Sequence, residues 1–144
     1  MYKHTQIGWV VLVSVGTAIL LTGYIGILEP NWLVFSVLGM LIICLILFGT
    51  LTVNGNSTSI RIRFGPGLIR KSFRLDEIGS CTVVRNHWWY GWGIRRTVKG
   101  WLFNVSGLDA VELSMRDGTF YRIGTDEPRK LCDFLQRKLN ERSR

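Results

Sequence analysis

Two long uncharged stretches dominate the first third of the chain. From Ile7 to Leu28, and again from Trp32 to Val53, no Asp, Glu, Lys or Arg occurs. Each stretch holds 22 residues. As helix that is about 33 Å, against a hydrocarbon core of about 30 Å. A buried helix of that length in a water-soluble domain keeps a polar face, and these stretches have none. The pattern predicts two transmembrane helices, at 7–28 and 32–53. The connection Glu29-Pro30-Asn31 is short enough to force an antiparallel hairpin, with Pro30 stopping the first helix and Asn31 capping the second. Residues 1–53 therefore read as a membrane hairpin and residues 54–144 as a separate domain. A cleaved leader is the rival for the first stretch, but the apolar run is too long and no small-x-small cleavage site follows it.

Beyond residue 53 the period changes. Ile60, Ile62 and Phe64 alternate with Arg61 and Arg63, the pattern of a half-buried strand. Gly65-Pro66-Gly67 is a turn, and Leu68–Leu75 is a second strand. A third lies around Ser80–Arg85. One or two more lie in the tryptophan-rich segment His87–Trp101, including Trp101–Val105. Val111, Leu113 and Met115 alternate with Glu112, Ser114 and Arg116. A tight turn at Arg116–Gly118 leads to a last strand, Thr119–Gly124. That makes about seven antiparallel strands. The pattern then becomes helical. Leu131, Phe134, Leu135 and Leu139 form one stripe, Thr125 or Asp126 caps the start, and Pro128 fits the first turn. This helix must bury its stripe on the strands. The expected fold is membrane-anchored α+β.

Charge orients the chain. The formal net charge is +8, and every Lys and Arg lies outside the hairpin connection, which carries only Glu29. The positive-inside rule puts both termini in the cytoplasm. Three cysteines with no CxxC spacing suggest neither a zinc site nor a disulfide framework, and Cys81 and Cys132 stand far apart in sequence. On the first helix Ser14, Ala18, Thr22 and Gly26 recur every four residues, a small-residue stripe where another helix can approach. The spans contain no ionisable group, which favours an anchor over a transport path.

Catalytic chemistry finds little footing. His4 and His87 are distant from each other, and neither has a fixed nucleophile partner. Asp76-Glu77 and Asp126-Glu127 are adjacent pairs whose side chains diverge. No phosphate-binding glycine motif and no metal-ligand spacing occurs, so no cofactor and no metal is expected. The segment His87–Trp101 holds Trp88, Trp89, Tyr90, Trp92, Arg95, Arg96 and Lys99 among three glycines. Aromatic and basic residues together suit stacking on single-stranded nucleic acid. Tethering beside an anionic leaflet explains the basic charge more directly, so no nucleic acid partner is expected. Two readings of the tryptophans stay open. Trp101 with one or two others fills the core, or Trp88–Trp92 form an exposed contact loop.

The segments Phe64–Ile78, Trp88–Arg95, Gly100–Leu113 and Asp117–Pro128 occur in an order that resembles bacterial proteins in which transmembrane helices precede a pleckstrin-homology-like (PH-like) domain. The resemblance implies a PH-like antiparallel β-barrel of about seven strands capped by the C-terminal helix, in a bacterial inner membrane. It also implies self-association and binding of proteins or lipid headgroups without catalysis. In eukaryotic PH domains the headgroup loop joins the first two strands; in this reading that connection is Gly65–Gly67, too short for a headgroup cradle. The expected function is a noncatalytic, membrane-anchored binding or scaffolding module, or else an accessory subunit of a membrane transport or secretion complex, or an anionic-lipid sensor; an enzyme comes last. The expected contact residues are the tryptophan-rich set with Arg61 and Arg63, the partners a protein or a second copy, and an anionic lipid surface.

Overall fold

The computed structural model describes residues 1–98 and 100–142. The chain begins not with a helix but with a strand, β1 (Tyr2–Ile7). Helices α1 (Trp9–Leu28) and α2 (Trp32–Phe48) follow as an antiparallel pair. Then β2 (Thr50–Gly55) returns to pair with β1 along its whole length, from Tyr2 opposite Gly55 to Ile7 opposite Thr50. The helical hairpin is thus an insertion between two paired strands. Asn31 caps α2 as expected, its side chain accepting a hydrogen bond from Leu33 N at 3.1 Å.

This changes the expected boundaries. Of the two helices, only α1, about 30 Å long, is long and apolar enough to cross a membrane by length and composition. Helix α2 has 17 residues, about 26 Å, not the 22 expected. The stretch 49–53 is apolar for a different reason. Leu51 and Val53 are alternate residues of β2 that face the core, with Thr52 between them and Thr50 before them. A core strand appended to an apolar helix imitates a longer helix. The expected division at residue 53 consequently falls inside β2.

Strands β3 (Ser59–Phe64) and β4 (Ile69–Arg74) complete a four-stranded antiparallel sheet in the order β1-β2-β3-β4. The second sheet has five strands: β5 (Ile78–Arg85), β6 (Gly93–Thr97), β7 (Gly100–Asn104), β8 (Asp109–Met115) and β9 (Phe120–Gly124), in the order β5-β8-β9-β7-β6. Here β5, β8 and β9 form a meander, and the β6–β7 hairpin adds to its edge with β7 parallel to β9. The two sheets are separate, so the closed barrel expected from the sequence does not form. Helix α3 (Pro128–Arg142) packs against β5 and β8. Its start is held by Thr125 Oγ1, which accepts from Glu127 N at 3.1 Å.

The core lies between the sheets and α3. Leu51, Val53, Ile60, Ile62 and Phe64 face Phe103, Val111, Leu113 and Ile123, and Leu131 and Leu135 close it. Its aromatic members are Phe64, Phe73 and Phe103 with Tyr121 beside them, not the tryptophans. Trp101, which one of the two readings placed in the core, is 44% exposed on β7.

Candidate functional site

The base of the helical hairpin is where three parts of the domain meet. Gly8 N donates to the Gly49 carbonyl at 2.8 Å, so the two helices leave the sheet from a closed rung, with no linker. Gly8 also lies against the Val105 carbonyl, and Gln6 Nε2 donates to the Ser106 carbonyl at 2.9 Å. On the other side, Gly65 opens the β3–β4 turn with φ +49°. Any Cβ there would run into the Ile46 and Leu47 carbonyls of the last turn of α2. Gly65 is required twice, by its backbone conformation and by this approach. The turn Gly65–Gly67 therefore joins β3 to β4 and abuts α2; the connection between the first two strands is the helical hairpin itself.

Arg61 and Arg63 are exposed on β3, on the face away from the core. Arg70 on β4 stands directly opposite Arg63, and Ser72 opposite Arg61; Asn54 on β2 flanks Arg61 from the other side. Directly opposed residues share a face. Together they line a groove of about 610 Å³. Arg74, at the far end of β4, pairs instead with Asp76 at 2.7 Å, and this contact raises its pKa.

The tryptophan-rich segment does not form one site. A single 3-10 turn, Trp88–Tyr90, holds Trp88 and Trp89 outward, 71% and 58% exposed. His87 stacks on Trp89, with ring centroids 4.4 Å apart. Tyr90 and Trp92 are half-buried, and Trp92 Nε1 is buried without a hydrogen-bond partner. Arg95 and Arg96 are exposed on the edge strand β6, with the Arg95 guanidinium over Gly91. Lys99 lies outside the described residues. The outer face of the second sheet carries a partly buried network that sequence reading missed. Arg122 Nε donates to Glu112 Oε2 at 2.6 Å and Nη1 donates to Asn86 Oδ1 at 3.2 Å. Glu112 and Arg122 are cross-strand partners, a relation visible only once the register is known.

Among the small residues of α1, Gly26 is buried with Val34 and Phe35 of α2 beside it, and Ala18 and Thr22 are half-buried. Ser14 is exposed and hydrogen-bonds the Val10 carbonyl within its own helix. Burial along the stripe thus rises from Ser14 to Gly26, where the two helices approach.

His4 and the start of α3 meet: His4 Nε2 lies 2.5 Å from Asp126 Oδ1, and Nδ1 lies 3.5 Å from Glu127 Oε2. Burial, with the carboxylates of Glu127 and Asp126 nearby, pushes the Tyr2 hydroxyl up to about 12. The sequence separation of Cys81 and Cys132 proves misleading. Their sulfurs lie 2.9 Å apart where α3 crosses β5, both thiols free and buried. Burial, aided by the neighbouring thiol and Asp133, pushes Cys81 up to about 12. Among the described residues no cluster of His, Cys, Asp and Glu could hold a metal ion. No protein-family model, curated protein or solved structure matches the chain.

Proposed function

We propose that the chain is a noncatalytic, membrane-anchored binding module: a helical hairpin crosses the bilayer twice and holds a PH-like domain against the cytoplasmic surface of a bacterial inner membrane. One observation carries this reading. An apolar hairpin leaves the sheet directly from the closed rung at Gly8 and Gly49, and large side chains such as Leu20, Leu21, Ile27, Phe35 and Ile43 are exposed along it. Water would make that surface unfavourable at roughly 25 cal/mol per Å². The shorter α2 spans with local thinning of the bilayer or help from flanking residues, at fractions of a kcal/mol per Å of mismatch.

The order of the elements supports the PH-like part. The order of four antiparallel strands, a three-stranded meander and a C-terminal helix agrees with a PH domain carrying two insertions. One is the helical hairpin between β1 and β2; the other is the β6–β7 hairpin between β5 and β8. The insertion between β1 and β2 replaces the loop that binds headgroups in eukaryotic members. The contact surface for a protein partner, a second copy included, is Trp88 and Trp89. Exposed tryptophans are the residue type that most often dominates protein interfaces.

The test is made on the full chain in its native membrane. Resistance to carbonate extraction is expected, followed by crosslinked species in mild detergent that Trp88→Ala/Trp89→Ala abolishes. Release by carbonate would overturn the anchor. A strict monomer with no co-purifying protein would overturn the binding module. Stable recovery of a multi-pass partner would assign the chain to a larger transport or secretion assembly.

A further inference from the structure

The outer face of the four-stranded sheet is charged in a way that its own fold does not balance. Arg63 and Arg70 are directly opposed across β3 and β4, and Arg61 shares their face two residues away. Like charges directly opposed destabilise a sheet. The ion pairs of the described carboxylates go to His4, Arg74, Arg122, Lys130 and Lys138, not to Arg61, Arg63 or Arg70; Asp76, held by Arg74, borders the Arg61 end of the face, and Arg63 and Arg70 lie beyond it. Around the three guanidinium groups stand neutral donors and acceptors, Asn54 and Ser72, in a groove of about 610 Å³. Three arginines outside these ion pairs, beside amide and hydroxyl groups, make a site for a phosphate-bearing anion. Guanidinium groups grip phosphate oxygens in pairs, with directional charge-assisted hydrogen bonds.

Position in the molecule narrows the source. Arg63 and Arg70 flank the turn Gly65–Gly67, and that turn abuts the last turn of α2 at Ile46 and Leu47. The Arg63 side chain lies along the turn, its Nε 3.3 Å from where a Cβ of Gly67 would be. A strand advances about 3.4 Å per residue, so Arg61 and Ser72 stand only about 7 Å further from the helix end. The polar headgroup layer is itself about 5–8 Å deep on each side. The groove thus opens within reach of the headgroups around α2.

We propose that Arg61, Arg63 and Arg70 form a binding site for the phosphodiester of an anionic phospholipid in the leaflet that borders the domain. The site lies on the outside of the sheet, away from the β1–β2 connection, and it rests on the membrane reading of the hairpin. Its effect is to fix which face of the domain turns toward the lipid.

The full-length chain, purified in mild detergent, is titrated with short-chain phosphatidylglycerol and with phosphatidylcholine, and bound lipid is counted by native mass spectrometry. Preferential, saturable retention of phosphatidylglycerol is expected. Arg63→Gln/Arg70→Gln should weaken it roughly 25-fold, at about one kcal/mol for each charge beside the surface. Arg129→Gln, an exposed cation on α3, should leave it unchanged. The double variant should melt no lower than the parent, because it relieves an opposed like-charge pair. Equal retention of the two lipids, or an unaltered affinity in the double variant, would overturn the site. Binding of inorganic pyrophosphate as tight as that of phosphatidylglycerol would reassign the groove to a soluble phosphate compound and overturn the lipid source. Carbonate extraction of the same protein from its membrane reads the anchor separately. A chain that is stripped yet retains phosphatidylglycerol in detergent loses the hairpin reading, and with it the proposed place of the site; a chain that stays but shows no lipid preference loses the site alone.

Discussion

Cys81 and Cys132 illustrate how a buried contact translates into a pH dependence. In the unfolded chain the Cys81 thiol ionises near its ordinary value of 9.0, while in the fold it is pushed up to about 12 by burial. Between those values the unfolded chain releases a proton that the folded chain retains, so rising pH favours unfolding. Stability should be level below about pH 9 and fall above it, at most about 1.4 kcal/mol per pH unit for this group. Tyr2, whose hydroxyl moves from 10.0 to about 12, adds to the loss above pH 10. Denaturant midpoints taken from pH 8 to 11 check this, and Cys81→Ala should flatten the first part of the decline. Two glycines make a second pair of residue-scale predictions. Gly118 has φ +85° with open space where a Cβ would point, so Gly118→Ala carries backbone strain alone, about 1 kcal/mol. Gly65→Ala adds a collision with the α2 backbone and should cost at least about 2 kcal/mol. Equal shifts in melting temperature for the two variants would count against the packing of the β3–β4 turn on α2.

Elements divide according to whether their side chains follow the period of their secondary structure. Strands β3, β4, β5, β8 and β9 and helix α3 were legible, since apolar residues there alternate or recur at helical spacing. Strand β1 was not. Its inward positions are Tyr2, His4 and Gln6, two of them polar, so the alternation that marks a half-buried strand is absent. Strand β2 alternates properly, but it follows α2 after one residue and dissolved into the apolar run. Arg61 and Arg63 were legible as exposed residues from the alternation of β3, whereas the alternation left Trp88 and Trp89 open between core and surface, because Gly91 and Gly93 interrupt the strand period. Arg70 as the partner of Arg63, and Cys132 beside Cys81, were not, because register and helix docking are set by tertiary packing. The consequence can be measured. A fragment comprising residues 54–144 lacks β1 and most of β2, leaving Ile62 and Phe64 without their β2 partners Val53 and Leu51. It should show no cooperative thermal transition and little amide protection.

At the scale of the whole molecule the decisive relation is that the hairpin interrupts a continuous pair of strands. Ile7 pairs with Thr50, and Gly8 N still bonds the Gly49 carbonyl beyond it, so everything from Trp9 to Phe48 hangs on a rung that is already closed. The domain core draws on β1 and β2 but, apart from Phe48 packed on Phe64, not on the helices. Excising residues 9–48 and joining Gly8 to Gly49 through Asn-Gly would replace the hairpin with the two-residue turn that antiparallel strands favour. That protein should be soluble without detergent and melt cooperatively, whereas the 54–144 fragment, which lacks β1 and most of β2, should not. The excised protein loses the Phe48 ring from one edge of the core, a cost of about 3–5 kcal/mol for a fully buried phenylalanine and less for this partly exposed one. Cooperative folding of both proteins would mean that β1 contributes nothing essential. Failure of both, with the full chain folded in detergent, would mean that the helices support the domain rather than anchor it.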